Sequence, residues 1–297
     1  MICLLFFVCS SLIIRADEKR APESSDYVGR EICEGCHTDY GKSFHLTAHS
    51  KVPGTAPDAL NQCESCHGPG YEHAASGGKK AAGIVNFEKL DGKKASAQCV
   101  KCHEGKPGLY GWRFCRHGTT NVSCNDCHYS HDKEKKNVAP HQLKNGGDPE
   151  VCYTCHSEKK AQAQWPSHHP VYEKRITCSD CHNPHGSDLS AYKGAPTSRE
   201  LCLTCHAQYR GPFAWEHQPV SENCTSCHNP HGSMENNLLA ASEPFLCLRC
   251  HPAVHNPHMS AGALSNNQLQ SEVMSFSRCS LCHPNVHGSG QSRTYTR

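Results

Sequence analysis

"CSDCHNPHGS", residues 178–187, places two cysteines, an adjoining histidine and a second histidine three residues further on within ten positions. Nearly the same string, "CTSCHNPHGS", returns at 224–233. A search outward for internal repeats finds C-x-x-C-H ten times. The copies are Cys33, Cys36 and His37; Cys63, Cys66 and His67; Cys99, Cys102 and His103; Cys124, Cys127 and His128; Cys152, Cys155 and His156; Cys178, Cys181 and His182; Cys202, Cys205 and His206; Cys224, Cys227 and His228; Cys247, Cys250 and His251; and Cys279, Cys282 and His283. Chance at this composition supplies well under one copy, so the spacing answers a chemical need.

C-x-x-C-H is the attachment signature of c-type haem: the two thiols add to the haem vinyl groups and the adjoining imidazole becomes the proximal iron ligand. A disulfide framework has no use for a histidine after every pair. Structural zinc takes paired C-x-x-C knuckles, and a thioredoxin-like site occurs once inside a βαβ pattern. Ten motifs therefore imply ten covalently bound haems c with iron as the metal. They leave Cys3 and Cys9 near the N-terminus and Cys115 as the remaining thiols. Cys115, beside Arg116 and His117, reads as a buried bystander, with a redox-sensitive thiol as the alternative.

Composition agrees with a chain built around cofactors. Thirty basic and 28 acidic residues leave a formal charge of +2 over 297 residues, which does not nominate nucleic acid as a partner. Hydrophobic residues make up 36%, a figure that includes 23 cysteines, too little for a large conventional core. Motif starts lie roughly 22 to 36 residues apart, so neighbouring haems must be close. Glycine and proline interrupt every stretch and no strand or helix periodicity persists. The expected fold is a multihaem cytochrome c of mostly irregular coil with short α-helices, little or no β structure, and an elongated haem wire whose porphyrins form the core. The haem-free intervals 68–98 and 252–278 read as surface loops, and "DKEKK" at 132–136 as a solvated turn.

The chain opens with "MICLLFFVCSSLII", an apolar run too short to span a bilayer comfortably. With Ala16 following, residues 1–16 read as a signal peptide for export, an uncleaved anchor being the alternative. Lipoprotein processing at Cys9 is disfavoured by the bulky Phe6, Phe7 and Val8 before it. The expected mature chain, 17–297, has no direct lipid span and divides into two pentahaem halves, about 17–160 and 161–297.

From His117 onward two kinds of site alternate. A histidine precedes and another follows the motif at His117 with "CNDCHYSH", His169 with "CSDCHNPH" and His217 with "CTSCHNPH". An apolar residue precedes the first cysteine in "VCYTCH" at 151–156, "LCLTCH" at 201–206 and "LCLRCH" at 246–251. This is a two-haem unit used three times.

Twenty-four histidines minus the ten proximal ones leave enough to fill every second axial position. Electron shuttling without substrate binding calls for both positions to be occupied. The candidate distal ligands are His49, His73, His117, His131, His169, His185, His217, His231, His255 or His258, and His287. His185 is too near the proximal histidine of its own motif to serve the same iron, so it is expected to reach a neighbouring haem. His45, His141 and His168 are expected to be non-ligands. Trp112, Trp165, Trp215 and nearby tyrosines are expected to pack on porphyrin faces.

"HHPVYEKRITCSDCHNPHGS", "LCLTCHAQYRGPFAWEHQPVSENCTSCHNPHGS" and "NVHGS" resemble the periplasmic decahaem c-type cytochromes of outer-membrane porin–cytochrome conduits, the Mtr, Dms and Pio type. The likeness runs from Cys33 to the C-terminus. It implies bis-histidine ligation and a haem wire sheathed by an outer-membrane β-barrel porin. Electrons would pass between periplasmic or inner-membrane carriers and an extracellular multihaem cytochrome. Such a chain needs no apolar surface of its own, because a barrel with a polar lumen surrounds it. The expected function is electron transfer, with no catalytic residues. The alternatives are a multihaem reductase of a small oxyanion with one open haem, and a subunit of an extracellular cytochrome filament.

Overall fold

The structure, a computed structural model, describes residues 22–51, 63–79, 83–132, 139–186, 192–251 and 277–296. The expected leader, His255, His258, and most of "DKEKK" and of the interval 252–278 lie outside these residues.

The C-x-x-C-H spacing is that of one helical turn. The His37 amide donates to Cys33 O at 2.9 Å and the His182 amide to Cys178 O at 2.8 Å. The same bond closes the motifs ending at His67, His128, His156, His206, His228, His251 and His283. The remaining motif, ending at His103, finishes the 12-residue helix Gly92–His103. Positions i, i+3 and i+4 of a turn share a face, so both thiols and the imidazole of a motif emerge on one side.

Between these turns the chain is largely coil. Among the described residues there is no β-strand, only isolated antiparallel bridges such as Ser167 with Ser233 and Trp215 with Ser289. The buried apolar residues described are Phe44, Ala95, Tyr129, Val151, Tyr153, Ala163, Ala195, Leu203 and Leu246, too few and too scattered for a side-chain core. The fold is thus the helix-poor multihaem type expected. One expectation is corrected: 68–98 is not a plain surface loop. It contains Tyr71–Ala75 and the start of Gly92–His103, with Gly92, Ala95 and Ser96 buried. Asp91 begins that helix by accepting from Lys94 N at 2.9 Å. Gly92 is required by close approach, since a Cβ there would lie 2.1 Å from Asn121 O. Composition reads such a glycine as loop, whereas it marks a contact with the next motif's segment.

Two compact units are present. The first runs to Phe87 and takes in a segment beginning at His131. Its centre is Glu64, 3% exposed, whose carboxylate accepts from Val28 N at 3.0 Å, Gly29 N at 2.9 Å and Gly70 N at 2.7 Å. Three charge-assisted bonds offset the desolvation of this carboxylate. Asp132 N donates to Ser43 Oγ at 2.7 Å, tying the His131 segment to helix Thr38–His45.

The second unit comprises the remaining eight motifs and repeats one construction. In three of its four motif pairs a polar group near the first motif caps the turn of the second. Ser96 Oγ accepts from Cys124 N at 3.2 Å, Asp148 accepts from Cys178 N at 2.9 Å and Ser179 N at 2.8 Å, and Glu243 accepts from Ser280 N at 2.8 Å. Neighbouring repeats are latched by paired backbone bonds: Ser167 with Ser233 at 3.1 and 2.7 Å, and Trp215 with Ser289 at 2.9 Å in both directions. The glycine of "HGS" makes that latch possible, because a Cβ on Gly232 would lie 1.9 Å from Gln162 O.

Candidate functional site

The histidines fall into pairs. Ring centroids lie 6.2 Å apart for His37 and His73, 6.0 Å for His67 and His131, 5.9 Å for His128 and His185, and 5.9 Å for His182 and His231. The distances are 6.0 Å for His228 and His287, 6.2 Å for His156 and His117, 6.2 Å for His206 and His169, and 6.1 Å for His251 and His217. Every pair joins a motif histidine to a candidate distal histidine. Two imidazoles on opposite sides of one metal, each with a bond of about 2 Å and its ring centre about 1 Å further out, give centroids about 6 Å apart. The residues present therefore fit a six-coordinate haem iron between two imidazoles.

The pairing follows a rule. With the motifs numbered in chain order, the histidine just after motifs four, six, eight and ten (His131, His185, His231, His287) meets the proximal histidine two motifs earlier. The histidine before motifs four, six and eight (His117, His169, His217) meets the proximal histidine of the following motif. His73, after the second motif, meets His37 of the first. The turn "CHNPH" is shaped for this: His185 N donates to Asn183 Oδ1 at 3.1 Å and His231 N to Asn229 Oδ1 at 3.3 Å, an Asx turn that points the second imidazole away from its own motif.

The same turn supplies a further contact. The carbonyl just before three of the backward-reaching histidines faces Nδ1 of a forward-reaching one: Pro184 O with His117 at 3.0 Å, Pro230 O with His169 at 2.8 Å, and Val286 O with His217 at 3.0 Å. Among proximal residues, Nδ1 faces Val85 O for His67, His141 O for His128, Asn237 O for His228 and Thr294 O for His283. A carbonyl accepting from Nδ1–H fixes the tautomer and leaves Nε2 free to ligate. Burial pushes His131, His185, His231 and His287 below the usual imidazole range, and in each case the facing motif histidine adds to it. Burial also lowers His182 and His217. Neutral imidazole is the form that binds metal.

The cysteines are organised in step. First cysteines of paired motifs lie near enough to shift one another's ionisation: Cys33 with Cys63, Cys99 with Cys124, Cys152 with Cys178, Cys202 with Cys224, and Cys247 with Cys279. Between pairs the second cysteines approach. Burial raises Cys127, followed by Cys152, Asp126 and Cys155; burial, then Asp180 and Cys205, raise Cys181, and burial and then Cys250 raise Cys227. No motif cysteine is taken up in a disulfide. Asp148 with Cys152 and Cys178, and Glu243 with Cys247 and Cys279, are close enough to suggest metal sites. Their carboxylates are already engaged as turn caps and their thiols belong to motifs.

Other expected positions are placed as follows. His168 has Nδ1 on Trp165 O and Nε2 2.9 Å from Glu173 Oε1, and His45 Nε2 lies 2.9 Å from Glu34 Oε1. His141 contributes its carbonyl to His128. His103, His283 and His49 are not part of the eight pairs above; His255 and His258 lie outside the described residues. Cys115 Sγ accepts from Gly118 N at 3.3 Å as the cap of Arg116–Thr119, and it occupies the position that Ser167 and Trp215 hold two residues before His169 and His217. Trp112 meets His185 edge-on at 6.2 Å. The backbone acceptors and the acidic caps escaped sequence reading, although the recurrence of N-P-H before glycine was the signal for the former.

Residues 117–161, 168–211 and 217–256 match the doubled CXXCH motif family. Over 281 residues, 92% of this chain and 82% of the relative, the sequence is 36% identical to the multiheme cytochrome MtrA of Shewanella baltica (strain OS185). Among the described residues no helix is long and apolar enough to cross a membrane. Helical-turn C-x-x-C-H motifs in pairs, imidazoles spaced for haem iron, and similarity over nearly the whole length lead to one conclusion: the chain belongs to the MtrA family of multihaem c-type cytochromes, electron-transfer proteins rather than enzymes.

Proposed function

We propose that the chain carries ten haems c, one per motif, each held between two histidines, and that it passes electrons across the outer membrane from inside a β-barrel porin. Its partners are periplasmic or inner-membrane carriers on one side and an extracellular multihaem cytochrome on the other, and five motifs lie on either side of about residue 160. The leader read at residues 1–16 supports export to the periplasm.

The observation that carries this reading is the uniform 5.9–6.2 Å spacing of eight motif-to-distal histidine pairs. Haem iron, when bound, supplies a one-electron couple whose potential depends on ligands, charge and exposure. In each of the eight pairs a motif histidine and a distal histidine would both hold the iron, which would leave it no position open to substrates. Backbone carbonyls hold the Nδ1 proton, so the ligating nitrogen needs no proton transfer as the charge state changes. Cross-motif ligation also fastens each repeat to the next and fixes the distances between neighbouring sites.

The test is low-temperature EPR of the oxidised, haem-quantified protein, followed by affinity purification from outer membranes. Ten low-spin haems and a co-purifying barrel are expected. High-spin ferric iron amounting to one haem would overturn complete bis-histidine ligation, and recovery without any barrel would overturn the conduit.

A further inference from the structure

After motifs four, eight and ten the chain folds back on the proximal histidine in one repeated way. Nδ1 faces His141 O for His128, Asn237 O for His228 and Thr294 O for His283. The next carbonyl then accepts a backbone bond beside the same histidine: Gln142 O from Tyr129 N at 2.9 Å, Leu238 O from Asn229 N at 2.7 Å, and Tyr295 O from Asn285 N at 3.1 Å. The last bond starts one residue later because Pro284 has no N–H to give. The residue bearing the second carbonyl is left-handed each time, with φ 53° at Gln142 and 58° at Leu238 and Tyr295. A bulky side chain in that region is uncommon and calls for a reason.

At motifs eight and ten this residue also reaches the segment that carries a forward-reaching histidine. Leu238 N donates to Ser167 Oγ at 2.9 Å, two residues before His169, and Tyr295 Oη donates to Glu216 O at 3.0 Å, one residue before His217. At motif ten the side chain goes further, for the Tyr295 ring lies 5.5 Å from the His217 imidazole and is tilted by 51° to it. His217 is also the exception among the forward-reaching histidines. It is inclined by 25° to His251, whereas His117 with His156 and His169 with His206 are inclined by 60° and 58°. The carbonyl at Nδ1 does not account for this, being 3.0, 2.8 and 3.0 Å away for His117, His169 and His217. The tyrosine ring is the feature that sets His217 apart.

We propose that Tyr295 is a positioning residue for the ninth haem, its ring turning the His217 imidazole toward the plane of His251 and its hydroxyl anchoring that ring on Glu216 O. The inference rests on the histidine pairing read above. One residue then holds ligands of both sites in the last pair, His283 of the tenth through the folded-back backbone and His217 of the ninth through its side chain. Axial ligands are among the levers by which a protein sets the properties of haem iron. The angle between two axial imidazoles is read directly in the ferric low-spin EPR spectrum, where near-parallel planes give a rhombic signal and steeply inclined ones a signal with a large maximal g.

The experiment is low-temperature EPR of the oxidised, haem-loaded full chain. Tyr295→Gly keeps the left-handed backbone, and with it the carbonyl on His283, while removing the ring. It is expected to move about one haem in ten from the rhombic to the large-g family, with no high-spin iron. Tyr295→Phe keeps the ring and should retain the wild-type spectrum. Identical spectra for Tyr295→Gly and Tyr295→Phe would overturn the steering role. Should Tyr295→Gly fail to load ten haems, Tyr295→Asn, which also tolerates this backbone, takes its place in the comparison. A His217→Ala protein without high-spin iron would instead overturn the pairing of His217 with His251, and the steering with it.

Discussion

Backward-reaching and forward-reaching histidines do the same apparent job by different means. His185, His231 and His287 sit on short turns directly after a motif and are held by burial and local turn geometry. His117, His169 and His217 sit before a motif and are oriented by a carbonyl from a segment far away in sequence. That carbonyl belongs to the residue immediately preceding a backward-reaching histidine. The two classes are therefore not independent: one turn delivers an imidazole to one site and orients the imidazole of another. Two of the three forward pairs also differ from the backward ones in the inclination of their ring planes. Backward pairs from His67, His128, His182 and His228 are inclined by 27°, 19°, 10° and 15°; among the forward pairs His117 with His156 and His169 with His206 are inclined by 60° and 58°, while His217 with His251 is at 25°.

The strongest way to break the shared turn is at its glycine. Gly232→Val puts side-chain atoms into Gln162 O at a positive φ of 152° and should cost more than about 3 kcal/mol. It is expected to lose the Ser167–Ser233 latch and to displace His231 and His169 together, read as a collapse of holoprotein yield and, in any protein recovered, more than one high-spin haem. Loss of a single site only would show that the two classes are independent. Removing one ligand is a smaller change. His231→Ala and His169→Ala should each convert roughly one haem in ten to high spin, and integrated EPR should find them additive in the double variant if they serve the sixth and seventh motifs separately. Asp148→Ala removes the cap from Cys178 and Ser179 and should lower stability by about 1–2 kcal/mol, seen in thermal melts with the spin state unchanged. The subtlest expectation concerns the planes: the oxidised protein should show two families of low-spin EPR signal, and His117→Ala should remove intensity from the steeply inclined family alone.

Much of the site was legible because its chemistry is local. Cys178, Cys181 and His182 announce themselves through i, i+3 and i+4 spacing, which one helical turn converts into a shared face. The distinction between motifs with an apolar residue before the first cysteine and motifs flanked by histidines also has a structural counterpart: Val151 and Leu246 are buried, whereas Thr177 and Asp180 form a capping box. The interval 68–98 was misread because Gly92 and Ala95 look like loop residues until the segment against which they pack is known.

Sequence by itself determined how many motifs there are, which histidine in each adjoins the second cysteine, and that side chains alone could not fill the interior. Those follow from covalent spacing and composition, which need no long-range information. Only tertiary structure decided that His185 meets His128 and not a nearer motif, that Pro184 O orients His117, and that Tyr209 lies between His206 and His287. Each of these depends on where distant segments dock, and docking is set by backbone latches and close approaches whose partners adjacent residues do not specify.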